Sequence, residues 1–350
     1  MIEEAIETLK EKPLIVYNWS PDGLLASIIT LAYATHTREY RIIAVDAWKP
    51  TIDLLEKIAI DSRETKSVAL LGVGWSGSDI DLLASMVLAP VVVVDNAWNL
   101  IPPRRPNVIY YNPSPKGDRM GSWPSVASLV SIGLDHPHPF LTAASIVSVM
   151  GETARSNRLY QSLMAMAGLD HNSDYDLAWN CAMQAYGITS MGDPVIHGEV
   201  ARSLVEADKD PCKAMLKDAL LTSFRGMAEA SLEDTVRNAS IDEESDVVIV
   251  NAVGEGRHEY YLSRLFGLQF RDKIVLTAYS DQLSGRFTAC AWHVSGKKPL
   301  ASLLPYMKGK GYEVYGSYHG IVNYLCFRKE ATPAEHVEDF LKAIDKVWNA

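Results

Sequence analysis

Three short polar segments follow apolar runs of strand length, and their residue types bear on metal, phosphate or acid–base chemistry. They are Asn18-Trp19-Ser20-Pro21-Asp22-Gly23, Gly72-Val73-Gly74-Trp75-Ser76-Gly77 and Asp95-Asn96-Ala97. Asp22 and Asp95 could share a divalent cation, because hard cations take anionic oxygens. Each could equally accept backbone N–H bonds as a loop or helix cap, which is the commoner use of an Asp before a helix. The Gly72–Gly77 run suggests a phosphate cradle only superficially: it lacks the Lys-Ser/Thr of a P-loop and the third glycine of a dinucleotide fingerprint, so a plain tight turn is expected. No GxSxG elbow, HExxH pair or Ser-His-Asp order is present, which leaves conventional hydrolase chemistry without support. Cys181, Cys212, Cys290 and Cys326 are scattered and form no CxxC pair. They indicate neither a zinc site nor a disulfide framework, and four partly buried thiols are expected.

The elements that would hold these segments alternate between strand and helix. Pro13–Asn18 reads as a strand and Leu24–Ala34 as a helical run. Arg41–Asp46, Ser67–Val73 and Pro90–Asp95 read as further strands, with helices at Thr51–Ile60 and Asp79–Ser85. Pro90–Asp95 is mostly β-branched, the pattern of a strand buried on both faces of a parallel sheet. Such alternation predicts an α/β sheet with right-handed crossovers. Sites in these sheets form just beyond the carboxyl ends of the strands, where the three polar segments and Asp46 lie. From Phe140 to about Arg237 the chain reads as mostly helical. The acidic run Asp242-Glu243-Glu244-Ser245-Asp246 is expected to be a solvated boundary loop. Beyond it, strands at Val247–Ala252, Lys273–Thr277, Arg286–His293, Tyr312–Tyr315 and Val322–Arg328 are interspersed with helices at His258–Phe266, Leu300–Lys308 and Ala334–Trp348.

At 350 residues the chain exceeds the usual single-domain size, so two domains are expected. A net charge of −10 argues against a surface built to neutralise many phosphates, although a local basic patch is compatible with it. Met1 to Lys12 carries four Glu and no apolar core of a signal peptide, and no run of about 20 apolar residues exists. An intracellular, cytoplasmic protein without a membrane span is therefore expected.

In order and placement, the three polar segments resemble the motifs of the DHH family of phosphoesterases, the RecJ-like nucleases and their relatives. There a first motif of Asp residues opens a helix, a second Asp ends a strand, and Asp-His-His ends another. Asn112-Pro113 followed by the small-residue helix Ser125–Leu134 is similar to the family's continuation. Glu152 stands nearest to a fourth-motif Asp, and Tyr315-Gly316-Ser317-Tyr318-His319-Gly320 resembles a worn copy of the Gly-Gly-His loop of the associated DHHA1 domain. The resemblance covers nearly the whole chain, though each motif alone is weak. It implies a parallel-sheet DHH-like domain over 1–190, a helical connector over 191–244 and a smaller α/β DHHA1-like domain over 245–350.

The intact family chemistry needs two divalent ions, usually manganese or magnesium, that ionise a water and steady the charge on a phosphate. Here the ligand positions are depleted. Asn18 and Ser20 replace two first-motif Asp residues, Gly72 replaces the second-motif Asp, and Asn96 and Ala97 replace both histidines. Asp22, Asp95 and Glu152 remain, too few for a bimetallic centre, so no metal, no cofactor and no catalytic residue is expected. Degenerate archaeal RecJ-like proteins are similar, and the family precedent is the RecJ-related subunit of the CMG replicative helicase. The resemblance thus implies a structural subunit of the DNA replication machinery that binds the GINS complex and MCM helicase. Trp48, Trp75, Trp98 and Trp123 are either partner contacts or covers for the emptied pocket. The alternative is a manganese-dependent single-strand exonuclease or oligonucleotide phosphoesterase with a rearranged site drawing on Asp46, Asp79, Asp81 or His36. A third reading retains single-stranded DNA without cleaving it, through Arg257, Lys297, Lys298, Lys308, Lys310 and His319. Solvated turns are the simpler account of that set.

Overall fold

The computed structural model describes residues 2–35, 39–46, 48–98, 101–113, 123–207, 211–244, 246–294, 299–319 and 322–348, without the side chains of Pro194, Ala207, Tyr318, His319 and Val322. It divides into two compact units, Met1–Arg225 and Gly226–Ala350, at a point inside the helix Ala219–Arg237.

In the first unit, helix α1 (Ile2–Thr8) precedes β1 (Pro13–Asn18), α2 (Pro21–Ile29), β2 (Arg41–Val45), α3 (Ile52–Asp61), β3 (Ser67–Leu71), α4 (Gly77–Met86), β4 (Val91–Val94) and β5 (Val108–Tyr111). The strands form a sheet in the order β2-β1-β3-β4-β5, parallel throughout. Period-2 alternation divides its side chains between two cores. Leu14, Val16, Val68, Leu70, Val91 and Val93 pack with α3 and α4, whereas Ile15, Tyr17, Ala69, Leu71, Val92 and Val94 pack against α1, α2 and later helices. Burial on both faces explains why these strands read as continuous apolar runs rather than alternating ones.

The helical remainder of this unit is α5 (Val126–Gly133), α6 (Pro139–Met150), α7 (Arg158–Met166), α8 (Tyr175–Met191), α9 (Pro194–Ala207), α10 (Pro211–Lys217) and the start of α11 (Ala219–Arg237). Four helix starts are set by hydroxyl caps. Ser20, Thr51, Ser76 and Ser125 accept backbone N–H bonds from Gly23, Leu54, Asp79 and Ser128. The strand order reverses between β1 and β3, the kind of switch point where α/β sheets open a crevice beyond their strand ends.

The second unit contains β6 (Ser240–Glu244), β7 (Val247–Gly254), α12 (Glu259–Gln269), β8 (Ile274–Asp281), β9 (Arg286–His293), α13 (Leu304–Gly309), β10 (Glu313–His319), β11 (Val322–Arg328) and α14 (Pro333–Trp348). Its sheet runs β10-β11-β9-β8-β7-β6, with β7 and β8 parallel and the other pairs antiparallel. Phe340 of α14 stacks on Phe327 of β11, with ring centroids 5.6 Å apart. Gly267 of α12 sits so close to the sheet that a Cβ there would collide with the Trp292 ring. The α/β architecture expected from the alternation is present in both units.

Four features differ from expectation. The segment likened to a Gly-Gly-His loop is strand as far as His319, because β10 pairs with β11 in the register Gly316↔Leu325. The acidic run is not a loop as far as Glu244: Ser240–Glu244 is a fully exposed strand at the end of the sheet, paired with β7 in the register Glu243↔Val248. Its backbone bonds inward while its carboxylates face water, and edge charges of this kind discourage further strand addition. The short elements α1 and β5 are not marked by the strand–helix alternation of the sequence. Finally, Cys290 and Cys326 form a disulfide, against the four thiols expected, because β9 and β11 place them directly opposite one another. A pairing across 36 positions is set by strand register and leaves no trace in cysteine spacing. Among the described residues, no helix is long and apolar enough to cross a membrane.

Candidate functional site

The three polar segments do converge at the carboxyl ends of β1, β3 and β4. Asn18 ends β1 half-buried, and Ser20 and Pro21 turn the chain directly into α2. Gly23 is required there, since a Cβ would collide with the Asn18 carbonyl oxygen. This delivers Asp22 to the interior with 7 % of its surface exposed.

Both oxygens of Asp22 accept from backbone. One carboxylate oxygen accepts Val126 N–H at 2.7 Å and the other accepts Ala127 N–H at 3.1 Å. These are orphan donors at the start of α5, so Asp22 and Ser125 together cap that helix. Asp95, just past β4, accepts Gly74 N–H at 2.7 Å and Ala97 N–H at 2.8 Å, one on each oxygen. It thereby fixes the turn after β3 and its own loop.

Both carboxyls are pushed up from their ordinary range by burial. For Asp22 the result is about 7, where desolvation outweighs the two backbone hydrogen bonds and the nearby Asp95 adds to the rise. For Asp95 desolvation likewise exceeds the opposing bonds from Ala97, Gly74 and Asn96.

The position between them is closed. Gly72 has φ of +62°, and a Cβ there would lie 2.8 Å from Val126 Cγ2. The space in which a second-motif side chain would begin is taken by the first residue of α5. Asn96 and Ala97 are buried, with Asn96 Nδ2 reaching the Pro124 carbonyl at 3.4 Å and Asn112 Nδ2 donating to the Ala97 carbonyl at 2.8 Å. Trp19 donates its indole N–H to the Thr189 carbonyl at 2.8 Å, tying the first segment to α8. Beside the cluster, the buried Tyr17 hydroxyl has no hydrogen-bond partner among the described residues.

Other candidate residues do not join this cluster. Glu152 is exposed on the 3₁₀ turn Gly151–Ser156, unlike the buried pair. Asp79 belongs to the Ser76 cap, Asp81 accepts the N–H groups of Arg104 and Arg105, and His36 lies outside the described residues. In the second unit, Lys308 and Lys310 are exposed at the end of α13, and Lys310 lies 3.7 Å from Asp339. Arg257 is half-buried 3.9 Å from Glu259. Lys297, Lys298 and the His319 side chain lie outside the described residues. Trp75, read as either a partner contact or a cover for the emptied pocket, is core, 1 % exposed among the side chains under α3 and α4. Trp48, Trp98 and Trp123 are half-buried. Residue types at strand ends could not reveal Val126 as the occupant of the second-motif space, because it arrives from a helix more than 50 positions away.

No protein-family model matches the chain, and no curated protein does. Solved structures do. A DHH-domain structure, described as belonging to a family of ribosomal proteins, aligns over 99 % of this chain and 88 % of its own, at 14 % identity and a TM-score of 0.58. An exonuclease RecJ bound to manganese aligns over 98 % and 94 %, at 14 % identity and a TM-score of 0.53. The fold is that of DHH-domain, RecJ-like proteins. RecJ from Thermus thermophilus with manganese aligns over 98 % of this chain but 54 % of its own, at 14 % identity and a TM-score of 0.58. CDC45 from Entamoeba histolytica aligns over 100 % and 97 %, at 9 % identity and a TM-score of 0.43, too distant to bear on function.

Manganese and magnesium accompany the RecJ structures. The residues here do not fit such ions. The carboxylates at the RecJ-like strand ends are the two committed to backbone N–H groups, the intervening position is a glycine filled by Val126, and Asn96 and Ala97 supply no imidazole. Among the described residues, no three His, Cys, Asp or Glu side chains form a metal-binding group.

Proposed function

We propose that this protein is a non-catalytic RecJ/DHH-fold protein that works by binding partners, as a structural subunit of a CMG-type replicative helicase in contact with GINS and MCM. One observation carries the non-catalytic half: the helix start Val126–Ala127 occupies both the oxygens of Asp22 and the side-chain space at Gly72. A two-ion hydrolysis mechanism needs that volume and those oxygens for metal and water. The partner half rests on the motif resemblance, and the net charge of −10 suits protein contacts better than a phosphate backbone. An intracellular location goes with this reading.

The purified protein is expected to leave labelled single-stranded DNA and RNA intact with either manganese or magnesium. Two ions need the whole ligand set, so Asn96→His alone should remain inactive. Robust wild-type cleavage that disappears in Asp22→Asn/Asp95→Asn would overturn the reading in favour of a manganese-dependent exonuclease. For the partner half, GINS and MCM are expected to be retained on the immobilised protein. Failure of the wild type to retain either complex would remove the helicase assignment while leaving the absence of hydrolysis standing.

A further inference from the structure

The chain has four cysteines, and they fall into two spatial pairs, one in each unit. The first pair is the Cys290–Cys326 bridge. The second is Cys181 on α8 and Cys212 on α10, whose sulfurs lie 3.0 Å apart although 31 positions separate them in the chain. Both are buried, at 0 % and 2 % exposure, in the same core as Ala185, Ile188, Ala201, Leu204 and Met215. Met215 Sδ is 3.6 Å from Cys181 Sγ.

We propose that Cys181 and Cys212 are a second disulfide-forming pair, which staples α10 to α8 independently of whatever the protein binds. From 3.0 Å the sulfurs need only about 1 Å of approach to reach the bonded length of about 2.05 Å. A soft cation held by the same sulfurs, with metal–sulfur bonds of about 2.3 Å, would drive them apart to roughly 3.7 Å. The surroundings favour the same outcome. A disulfide is neutral, whereas metal binding requires thiolates, and buried charge in an apolar core is costly.

The step balances with a small-molecule disulfide as oxidant. One cysteine thiolate attacks a donor sulfur, forming a mixed disulfide and releasing the first donor thiolate. The other cysteine then loses its proton and displaces the second donor thiolate, so two protein thiols become one S–S bond and the donor becomes two thiols. Because both sulfurs are buried, the attack requires local opening of the helices around them. Once closed, the loop encloses α9 and fixes α10 against α8, the helix whose Thr189 carbonyl holds Trp19.

The test is to refold the full chain from denaturant in a glutathione redox buffer, alkylate it under denaturing conditions and map the peptides by mass. Refolding makes both sulfurs accessible before they are buried. The expected result is a Cys181–Cys212 cross-linked peptide about 2 Da lighter than the sum of its reduced halves, with neither residue alkylated. Alkylation at Cys181 and Cys212 overturns the proposal, whether or not Cys290 and Cys326 are recovered as a bridge. Recovery of either residue linked to glutathione or to Cys290 or Cys326 overturns it as well.

Discussion

Gly72→Asp, the substitution that places a carboxylate in the second polar segment, is expected to destabilise the protein by about 3–5 kcal/mol rather than build a metal site. Three costs add. A non-glycine residue at a φ of +62° costs roughly 1–2 kcal/mol. A Cβ lying 2.8 Å from Val126 Cγ2 forces the first turn of α5 to shift, and overpacking of this sort costs roughly 1–3 kcal/mol. The new carboxyl also enters a buried region already holding Asp22 and Asp95, where a further unpaired charge is resisted by desolvation and like-charge repulsion. Gly72→Ala carries the first two costs, together roughly 2–5 kcal/mol, without the third, and should be the less destabilising of the two. Adding Val126→Ala to Gly72→Asp should recover the packing part and leave the backbone part. Denaturant unfolding of the four chains separates these contributions. If Gly72→Asp unfolded at the wild-type midpoint and also bound manganese in a calorimetric titration, the space beside Gly72 would be open and the non-catalytic reading would lose its main support.

The parallel sheet was legible because strands buried on both faces must be apolar along their length, as Val91–Val94 is. The location of the site was legible too, since polar residues after such runs can stand only at strand ends. The contacts made there were not. That Asp22 caps a helix follows from the ordinary chemistry of Asp, but which helix depends on tertiary placement: Val126 and Ala127 lie 104 and 105 positions away. The Cys290–Cys326 bridge was hidden for the same reason, being a consequence of antiparallel register. The strand Ser240–Glu244 was misread because its side chains all face solvent and its order comes from backbone pairing with β7, which composition does not encode. Trp75 misled in the opposite sense. An aromatic residue in a polar, glycine-rich segment suggests a partner contact or a pocket cover, yet the turn fixed by Asp95 at Gly74 leads it back into the core.

Stability is expected to fall as pH rises from about 4 to about 7, and Asp22 is expected to account for much of the fall. Its carboxyl titrates at about 7 in the folded protein, against an ordinary value near 3.8 in the unfolded chain. The folded state therefore binds a proton across that window which the unfolded state has lost, and in such a window stability decreases with rising pH. The contribution is complete below about 4 and gone above about 7, with an upper bound of about 4 kcal/mol from a shift of about three pKa units at 1.36 kcal/mol each. Asp95, raised in the same direction, adds to the slope. Asp22→Asn removes the ionisable group but keeps one oxygen to accept from the start of α5. It should flatten the profile between pH 5 and 8 and cost least, relative to wild type, at the alkaline end. Asp22→Ala loses both backbone bonds at every pH, so it should be less stable than Asp22→Asn throughout, by about 1–2 kcal/mol. Urea unfolding at half-unit pH steps measures all three curves. Parallel curves for wild type and Asp22→Asn from pH 5 to 8 would show that Asp22 ionises at its ordinary value, its bonds from Val126 and Ala127 then offsetting the desolvation.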